Sequence, residues 1–254
     1  MFSRDEHERY ARHILLKEIG GAGQQMVKRA NVTLVGVGGL GAPAALYLAA
    51  AGVGRLRLID HDIVSLSNLQ RQIIFSGMDV GASKVERARE VLSALNGHVE
   101  VEAVRKRLTA DDAAELLRGA DVVLDGSDDF ETRYAVNAAC HENGQILVSG
   151  AVGRWTGQVA TFKSGLTKSA APAQRLPCYR CLVPDIPPDA DTCARTGIVG
   201  ALTGVIGAMM ALEAIKEITE AGESLAGRLM LYDALAATMR TTTLKRDPAC
   251  PVCA

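Results

Sequence analysis

The chain has 254 residues and a formal net charge of −1, and 48% of its residues are hydrophobic. This near-neutral balance excludes the strong positive charge that holds proteins to nucleic-acid phosphates, and the hydrophobic content excludes wholesale disorder. Aromatic residues make up 4% of the chain. The core must therefore be built from Ala, Val, Leu and Ile, as in many proteins that pack helices on a parallel sheet.

The N-terminal segment has helical spacing. Residues 5–16 predict one helix, and a glycine-rich turn at 20–23 precedes a second short helix that ends near Arg29. The start of the chain is charged, without the apolar stretch of a signal peptide, and the longest apolar run, 197–212, is too short for a membrane span. We therefore expect a cytoplasmic protein without membrane contact. In that compartment thiols stay reduced, so the six cysteines favour metal binding or reactivity over disulfides.

From residue 31 onward, buried strands alternate with helices. The sequence predicts strands at 31–36, 55–60, 99–104, 121–125 and 146–150, and helices at 39–51, 83–95, 109–117 (with Thr109 as N-cap) and 130–142. Extended segments at 153–162 and 227–243 follow, separated by irregular sequence at 163–177 and 184–196. The expected fold is α/β, a Rossmann-like, doubly wound mixed sheet with a parallel N-terminal part and antiparallel C-terminal strands.

A glycine-rich loop follows the first predicted strand and leads into a helix. Gly36, Gly38 and Gly41 form the pattern G-x-G-x-x-G, and Gly39 lies within it. Such glycines allow a tight turn and a close backbone approach, and the helix N-terminus presents N–H groups to phosphate. Asp60 ends the next strand at the spacing expected for a ribose contact. The pattern alone does not separate ATP from a dinucleotide, but the Walker pattern is absent from the sequence.

Charged residues after the following strands favour a triphosphate. Arg71 and Lys84 bring positive charge to the carboxyl edge of the sheet, where β- and γ-phosphates need it and a nicotinamide does not. Asp128 follows the strand at 121–125 and is preferred as the Mg²⁺ ligand over its acidic neighbours. The alternatives are that the two cations are solvated surface side chains, and that Ser127 or Asp128 caps the next helix.

Taken together, these motifs resemble the MoeB/ThiF family, the bacterial relatives of ubiquitin-activating enzymes. The matching motifs are Arg9-Tyr10-x-Arg12-His13, 36–41, Asp60, 65–72, Lys84, Asp125-x-x-Asp128, 177–182, 204–207 and Pro248-x-Cys250-x-x-Cys253. The resemblance implies an adenylyltransferase that uses ATP and Mg²⁺. Its substrate would be the C-terminal glycine carboxylate of a small ubiquitin-like sulfur-carrier protein ending in Gly-Gly, and pyrophosphate would be released.

The resemblance also implies roles for individual residues. These are a ribose contact for Asp60, phosphate contacts for Asn68, Arg71 and Lys84, and Mg²⁺ coordination for Asp128. The resemblance further implies a homodimer, because Arg12 would reach into the partner's ATP site. Cys193 stands where some family members have a cysteine that forms a persulfide or thioester with the carrier. Sulfur transfer without this cysteine is the alternative.

Four cysteines form two widely separated Cys-x-x-Cys pairs, Cys178 with Cys181 and Cys250 with Cys253. Four thiolates suit a closed, tetrahedral Zn²⁺ site, which would hold the C-terminal tail to the end of the irregular loop. No ligand position would remain open, so the zinc would be structural. The alternative is a redox or disulfide role for the two pairs.

We expect one domain over 1–254, with N-terminal helices at 1–30, a nucleotide-binding part at 31–150 and a carrier-binding and zinc part at 151–254. The favoured carrier is the small subunit of molybdopterin synthase, and the alternative is the carrier of the thiamine pathway. Sulfur would come from a separate donor. The competing hypotheses are an NAD-dependent oxidoreductase, a non-catalytic dimer subunit and a relative that activates a tRNA base.

Overall fold

The structure, a computed structural model, describes residues 2–186 and 197–254. The described residues form one eight-stranded sheet. Its strands are β1 (Asn31–Val35), β2 (Arg55–Ile59), β3 (Glu100–Val104), β4 (Val122–Asp125), β5 (Ile146–Gly153), β6 (Thr156–Phe162), β7 (Arg228–Asp233) and β8 (Thr238–Thr243). They are arranged in the order β3-β2-β1-β4-β5-β6-β7-β8. The pairs from β3 to β5 are parallel and those from β5 to β8 are antiparallel, which confirms the predicted fold class.

Helices cover both faces of the parallel part. They are α1 (Arg4–Arg9), α2 (Ala11–Ile14), α3 (Gly20–Arg29), α4 (Gly41–Ala51), α5 (Lys84–Leu95), α6 (Ala113–Leu116), α7 (Phe130–Asn143), α8 (Tyr179–Leu182) and α9 (Gly200–Thr219). Short 3₁₀ helices lie at Leu66–Asn68, Gly77–Asp79 and Pro172–Gln174. Helices α3, α4, α5 and α9 pack on one face of the sheet, and α6 and α7 pack on the other.

The strands have apolar residues on both faces because both faces are covered. In β1, Val32 and Leu34 join the core beneath α4 and α9, while Val35 joins the core beneath α7. In β4, Leu124 joins the core beneath α4 and α9, and Val123 joins the core beneath α7. Successive side chains of a strand point to opposite faces, so a short apolar run fills both layers. This arrangement explains why helices and strands were predictable from apolar runs.

Two predictions about the N-terminal helices are wrong. The helix expected over 5–16 is divided into α1 and α2 at Tyr10, which has φ −98° and ψ 9°. The Tyr10 side chain is buried and its hydroxyl accepts a hydrogen bond of 2.9 Å from Asn96 Nδ2, so this anchor interrupts the helix. The glycines at 20–23 begin α3 rather than forming a turn, because burial of Gln24 and Val27 outweighs the low helix propensity of glycine.

The helix predicted over 109–117 is shorter than expected, and Thr109 is not its N-cap. Only Ala113–Leu116 is helical. The Asp112 carboxylate accepts a 2.8 Å hydrogen bond from the Thr109 backbone N–H, so the preceding residues form a turn instead. Aspartate side chains that bond to nearby backbone groups compete with helix formation in this way.

The apolar run at 197–212 contributes the first half of α9, whose Leu202, Ile206 and Met210 lie in the core. Val205 and Leu212 on the opposite side are exposed. One face of this helix is therefore core, and its other face is open in the single chain. Among the described residues, no helix combines the length and the apolar character needed to cross a bilayer.

Candidate nucleotide site

A cavity opens at the carboxyl ends of β1, β2 and β4. Strand β1 lies between β2 and β4, so the order of the strands reverses direction at β1. Ligands of doubly wound folds bind at such a switch point. The predicted site residues that line the cavity are Gly36, Gly38, Gly39, Asp60, Arg71, Lys84 and Asp128. Three predicted residues, Gly41, Asn68 and Arg12, are not among the lining residues.

Glycine is required in this loop because backbone segments pack closely against each other there. Gly36 has φ +84°, a conformation that favours glycine, and a Cβ atom there would lie 3.1 Å from the Gly126 backbone. A Cβ atom on Gly41 would lie 1.9 Å from the Gly36 carbonyl oxygen. Gly41 therefore lets α4 start directly behind the loop, while its contact with a nucleotide stays a prediction.

We expect Gly41→Ala to destabilise the protein, because the added methyl group must displace the Gly36 carbonyl. Overpacking of this kind costs about 1–3 kcal/mol. Gly77→Ala is the matched control, since a Cβ atom there meets nothing within 4 Å. Thermal unfolding of the two variants measures the difference. Equal midpoints would contradict the packing role of Gly41.

Asp60 is buried and both of its carboxylate oxygens accept backbone hydrogen bonds. Oδ2 accepts from Val37 N–H at 2.8 Å, and Oδ1 accepts from Asp62 N–H at 2.9 Å. These bonds attach the glycine loop to the end of β2. Each oxygen retains a second lone pair. The carboxylate is therefore fixed in the cavity wall with capacity to accept a bond from a ribose hydroxyl.

Lys84 begins α5 and its side chain is buried, with Nζ 2.9 Å from Asp62 Oδ2. Burial tends to raise the pKa of Asp62, but the hydrogen bond and the charge of Lys84 hold that pKa below its ordinary value. Asp62 is half exposed at the cavity. The interpretation of Lys84 as a solvated surface cation is therefore wrong. Its ammonium lies in the cavity wall, where a phosphate could share it with Asp62.

Arg71 lines the cavity and donates a 3.2 Å hydrogen bond to the Ser67 carbonyl. Asn68 holds the same segment, because its carbonyl accepts the Arg71 N–H at 3.1 Å and the Gln72 N–H at 2.9 Å. In the described structure Asn68 thus supports the position of Arg71. Its contact with a phosphate stays a prediction.

Two further cations, Lys106 and Arg107, also line the cavity. The sequence interpretation did not include them. They follow directly after β3, at the same edge of the sheet as Asp60, and that position is the signal that could have revealed them. Lys106 pairs with Asp112 at 2.7 Å, and Arg107 Nε lies 3.4 Å from His61 Nε2. The cavity therefore has four cationic side chains, which suits a polyanion better than a nicotinamide.

The three aspartates at the end of β4 and in the following loop have different roles. Asp125 is buried and accepts from the Ser127 N–H at 3.0 Å and the Ser127 hydroxyl at 2.6 Å. Asp129 is the N-cap of α7, where it accepts the Thr132 N–H at 2.8 Å, so the alternative of a cap at Ser127 or Asp128 is wrong. Of these three carboxylates, Asp128 lines the cavity without a hydrogen bond from the described residues, so it is the best placed to hold a cation.

Arg133 stabilises the backbone of this acidic loop. The sequence interpretation did not include this residue either. It is buried and its guanidinium donates to the carbonyls of Ser127 and Gly150, the latter at 2.9 Å. Its Nη1 lies 3.7 Å from Asp125. Burial opposes the charge, but the Asp125 carboxylate raises the pKa of Arg133 above its usual value. Arg133 therefore stays charged and fixes the loop that carries Asp128.

The four cysteines of the two pairs come together, and Cys178 lies close to the middle of α7, next to Tyr179, which bonds Asn137. The Sγ atoms of Cys178 and Cys250 are 3.6 Å apart, those of Cys181 and Cys253 are 3.4 Å apart, and all four lie within 4.8 Å of one another. A Zn–S distance of about 2.3 Å puts the sulfurs of a tetrahedral site about 3.8 Å apart. A disulfide needs about 2.05 Å. The arrangement therefore fits zinc, and these thiols are not paired as disulfides.

The remaining two cysteines differ in what the structure describes. Cys140 is buried in α7, and burial raises the pKa of its thiol far above the usual range, so it is a packed core thiol. Cys193, the candidate for a covalent link, lies outside the described residues.

Arg12 is exposed and has no hydrogen-bond or ion-pair partner within 2–186 or 197–254. The residues around it anchor its helix to the body of the protein. Tyr10 binds Asn96, and the ring of His13 lies 3.0 Å from the buried side chain of Gln24. Leu15, which follows shortly after, is 74% exposed. The segment thus presents a cation without a side-chain partner among the described residues, and apolar surface that does not line its own cavity.

Known proteins resemble this chain over nearly its whole length. A model of the ThiF family matches residues 10–252. The sulfur carrier protein adenylyltransferase of Thermus thermophilus is 46% identical, over 99% of this chain and 92% of that protein. The SAMP-activating enzyme E1 of Haloferax volcanii is 43% identical, over 97% of this chain and 88% of that protein.

Among solved structures, E. coli MccB with ATP has a TM-score of 0.80, over 96% of this chain and 74% of that one. Its sequence identity of 24% restricts that likeness to the fold. The family model and the two relatives confirm the resemblance that the motifs predicted. The chain belongs to the ThiF family.

Proposed function

We propose that this protein adenylylates the C-terminal glycine carboxylate of a small ubiquitin-like sulfur-carrier protein in the cytoplasm. The proposal rests on the cavity, where a glycine loop, four cations and the Asp128 carboxylate meet. The names of the relatives from Thermus thermophilus and Haloferax volcanii support the same enzyme class. The cationic lining of the cavity and the membership in the ThiF family both argue against the hypothesis of an NAD-dependent oxidoreductase.

In the proposed reaction a carboxylate oxygen of the carrier attacks the α-phosphorus of ATP. A P–O bond forms to the carrier, the P–O bond to the β-phosphate breaks, and pyrophosphate leaves with its electron pair. The attacking carboxylate is already ionised at neutral pH, so no general base is required. The protein has to bring two anions together and offset the charge of the leaving group.

The cavity residues match this task. Arg71 and Lys84 would offset phosphate charge, and Asp60 would hold the ribose. Asp128 would hold Mg²⁺, since carboxylate oxygen is the ligand this ion prefers and this carboxylate is free at the cavity wall. When bound, the ion supplies positive charge at the phosphates.

We further propose that the enzyme works as a homodimer in which Arg12 completes the partner's site. Arg12 does not line the cavity of its own chain, and its helix is firmly anchored by Tyr10 and His13. An exposed, unpartnered arginine on a fixed helix is suited to act on another molecule. Leu15 and Leu16, which follow α2, and Val205 and Leu212 of α9 supply exposed apolar surface for such an assembly.

The favoured carrier is the small subunit of molybdopterin synthase, which makes the protein MoeB-like. The carrier of the thiamine pathway is the alternative, as for a ThiF-like enzyme. The acyl-adenylate would be consumed by sulfur transfer from a separate donor. Cys193 would either form a covalent link to the carrier during this step or take no part in it.

We propose that Cys178, Cys181, Cys250 and Cys253 bind one structural Zn²⁺, because their sulfurs already have nearly tetrahedral spacing. The purified protein is expected to contain one zinc per chain. Cys253→Ser should lower the zinc content and release the C-terminal tail to proteolysis, since metal binding contributes on the order of 10 kcal/mol to local folding. Cys140→Ala is the control, as Cys140 is a buried thiol outside the cluster. Equal metal content in both variants would contradict the assignment.

The test of the proposed function is ATP–pyrophosphate exchange with candidate carriers added one at a time. We expect exchange with one carrier and none when its terminal Gly-Gly is deleted. The carrier that supports exchange identifies the pathway. Absence of exchange with every carrier, in a zinc-loaded preparation, would reject the activating function.

A further inference from the structure

A continuous series of buried contacts runs along α7 from the four cysteines to the nucleotide cavity. Helix α7 begins beside Asp128 and passes close to Cys178 about two turns later. Arg133 and Asn137 are four residues apart and therefore lie on the same face of this helix. Both are buried, and burial of a polar side chain is costly unless hydrogen bonds offset it.

At the cysteine end, the Asn137 side chain is fixed by the residue next to Cys178. Its Oδ1 accepts the Tyr179 backbone N–H at 2.7 Å. Its Nδ2 is buried and has no hydrogen-bond partner in the described structure. The Asn137 amide therefore fixes the backbone at the residue that follows Cys178.

In the middle, the Tyr179 ring connects Asn137 to Arg133. The ring is buried, and the Arg133 guanidinium lies 5.9 Å from its centroid. Tyr134 and Arg180 strengthen the same contact between α7 and α8. The Arg180 guanidinium lies 4.1 Å from the Tyr134 centroid, and the Tyr134 hydroxyl donates to the Val183 carbonyl at 3.1 Å. The segment after Cys178 is therefore packed rigidly on α7.

At the cavity end, Arg133 holds the loop that carries Asp128. Its guanidinium bonds the Ser127 carbonyl, and Ser127 and Asp128 both line the cavity. A shift of Tyr179 would change the environment of Arg133 and, through it, the position of this loop. Networks of packed and hydrogen-bonded side chains are able to couple two sites, but coupling has to be measured as a free energy.

We propose that Arg133 and Asn137 are positioning residues that couple the zinc site to the nucleotide site, so that zinc occupancy raises the affinity for Mg-ATP. This inference rests on the proposed function, since it takes the cavity to be the ATP site. It assigns to the zinc site an effect on nucleotide binding in addition to holding the C-terminal tail.

The first test measures linkage in the full-length wild-type chain. A non-hydrolysable ATP analogue with Mg²⁺ is titrated into zinc-loaded and zinc-free protein, and zinc affinity is measured by chelator competition with and without the analogue. We expect zinc to strengthen binding of the analogue about five- to hundredfold, and the analogue to strengthen zinc binding by the same factor, since linkage is reciprocal. Equal affinity for the analogue in folded zinc-free and zinc-loaded protein would overturn the coupling.

The second test remains decisive if the zinc-free chain unfolds. In Asn137→Leu, saturated with zinc, we expect weaker binding of the analogue and about 10–100-fold weaker zinc binding, as for other residues that support a metal ligand. Asn143→Leu on the same helix is the matched control, because Asn143 is exposed, does not line the cavity, and bonds Ala114 and Gln145 rather than any residue of the cysteine cluster. Wild-type affinity of Asn137→Leu for both ligands would reject the proposal.

A spectroscopic measurement separates positioning from general loss of stability. With Co²⁺ in place of zinc, the thiolate-to-metal charge-transfer band should shift when the analogue binds to wild type and to Asn143→Leu, but not to Asn137→Leu. An unshifted band in wild type would overturn the coupling. Failure of the zinc-loaded wild type to bind the analogue at all would instead reject the proposed function.

Discussion

Asp128→Asn is expected to lower the rate of ATP–pyrophosphate exchange on the order of 10²–10³-fold, the range found when one group that stabilises transition-state charge is removed. The substitution keeps the size of the side chain and removes the negative charge that would hold Mg²⁺. The Asp128 carboxylate makes no hydrogen bond in the described structure, so its loss should leave stability nearly unchanged. Exchange rate and thermal unfolding, measured together, separate these effects.

Asp129→Asn is the matched control for this prediction. It removes a carboxylate from the adjacent position, but Asp129 serves as the N-cap of α7 and asparagine caps helices about equally well. We expect most of the activity and the stability to remain. Loss of exchange in Asp129→Asn with retention in Asp128→Asn would move the metal ligand to Asp129 and contradict the assignment made from the cavity.

The parts of this site that could be predicted from the sequence are those determined by local structure. The glycine loop, Asp60 and Asp128 all stand directly after a buried strand, so alternation of strand and helix was sufficient to place them at one edge. Lys84 was predictable for the same reason, because it begins a helix that returns from that edge. Local patterns also predicted the cysteine pairs, although only the fold brings them together.

The parts that could not be predicted depend on contacts distant in sequence. Arg133 occupies a position in α7 that reads as an ordinary polar residue, and only the packing of α7 against β4 and β5 buries it beside Asp125. Lys106 and Arg107, by contrast, follow directly after the strand predicted at 99–104, so their place at the cavity was open to prediction in the same way as that of Asp60. The break at Tyr10 arises from a bond to Asn96, 86 residues later. Propensity and periodicity contain no information about such partners.

Mixing two inactive variants, Arg12→Ala and Asp128→Asn, is expected to restore exchange if Arg12 acts in the partner's site. In a mixed dimer one site combines the intact Asp128 of the first chain with the intact Arg12 of the second, while the other site lacks both. Random reassortment makes half of the dimers mixed, each with one complete site. The mixture should therefore recover about a quarter of wild-type activity.

The control for this experiment is a mixture of Asp128→Asn with the double variant Arg12→Ala/Asp128→Asn, which contains no intact Asp128 and should stay inactive. Each variant must be a folded dimer by sedimentation before mixing.

Activity of Arg12→Ala alone close to wild type would remove Arg12 from the reaction. Inactive single variants that give no activity on mixing, with exchange of subunits verified, would place Arg12 in its own chain's site. That outcome would conflict with the exposed position of Arg12 outside the lining of its own cavity. Recovery near a quarter would make the dimer a requirement of the chemistry, since neither chain alone would then hold a complete set of phosphate-binding cations.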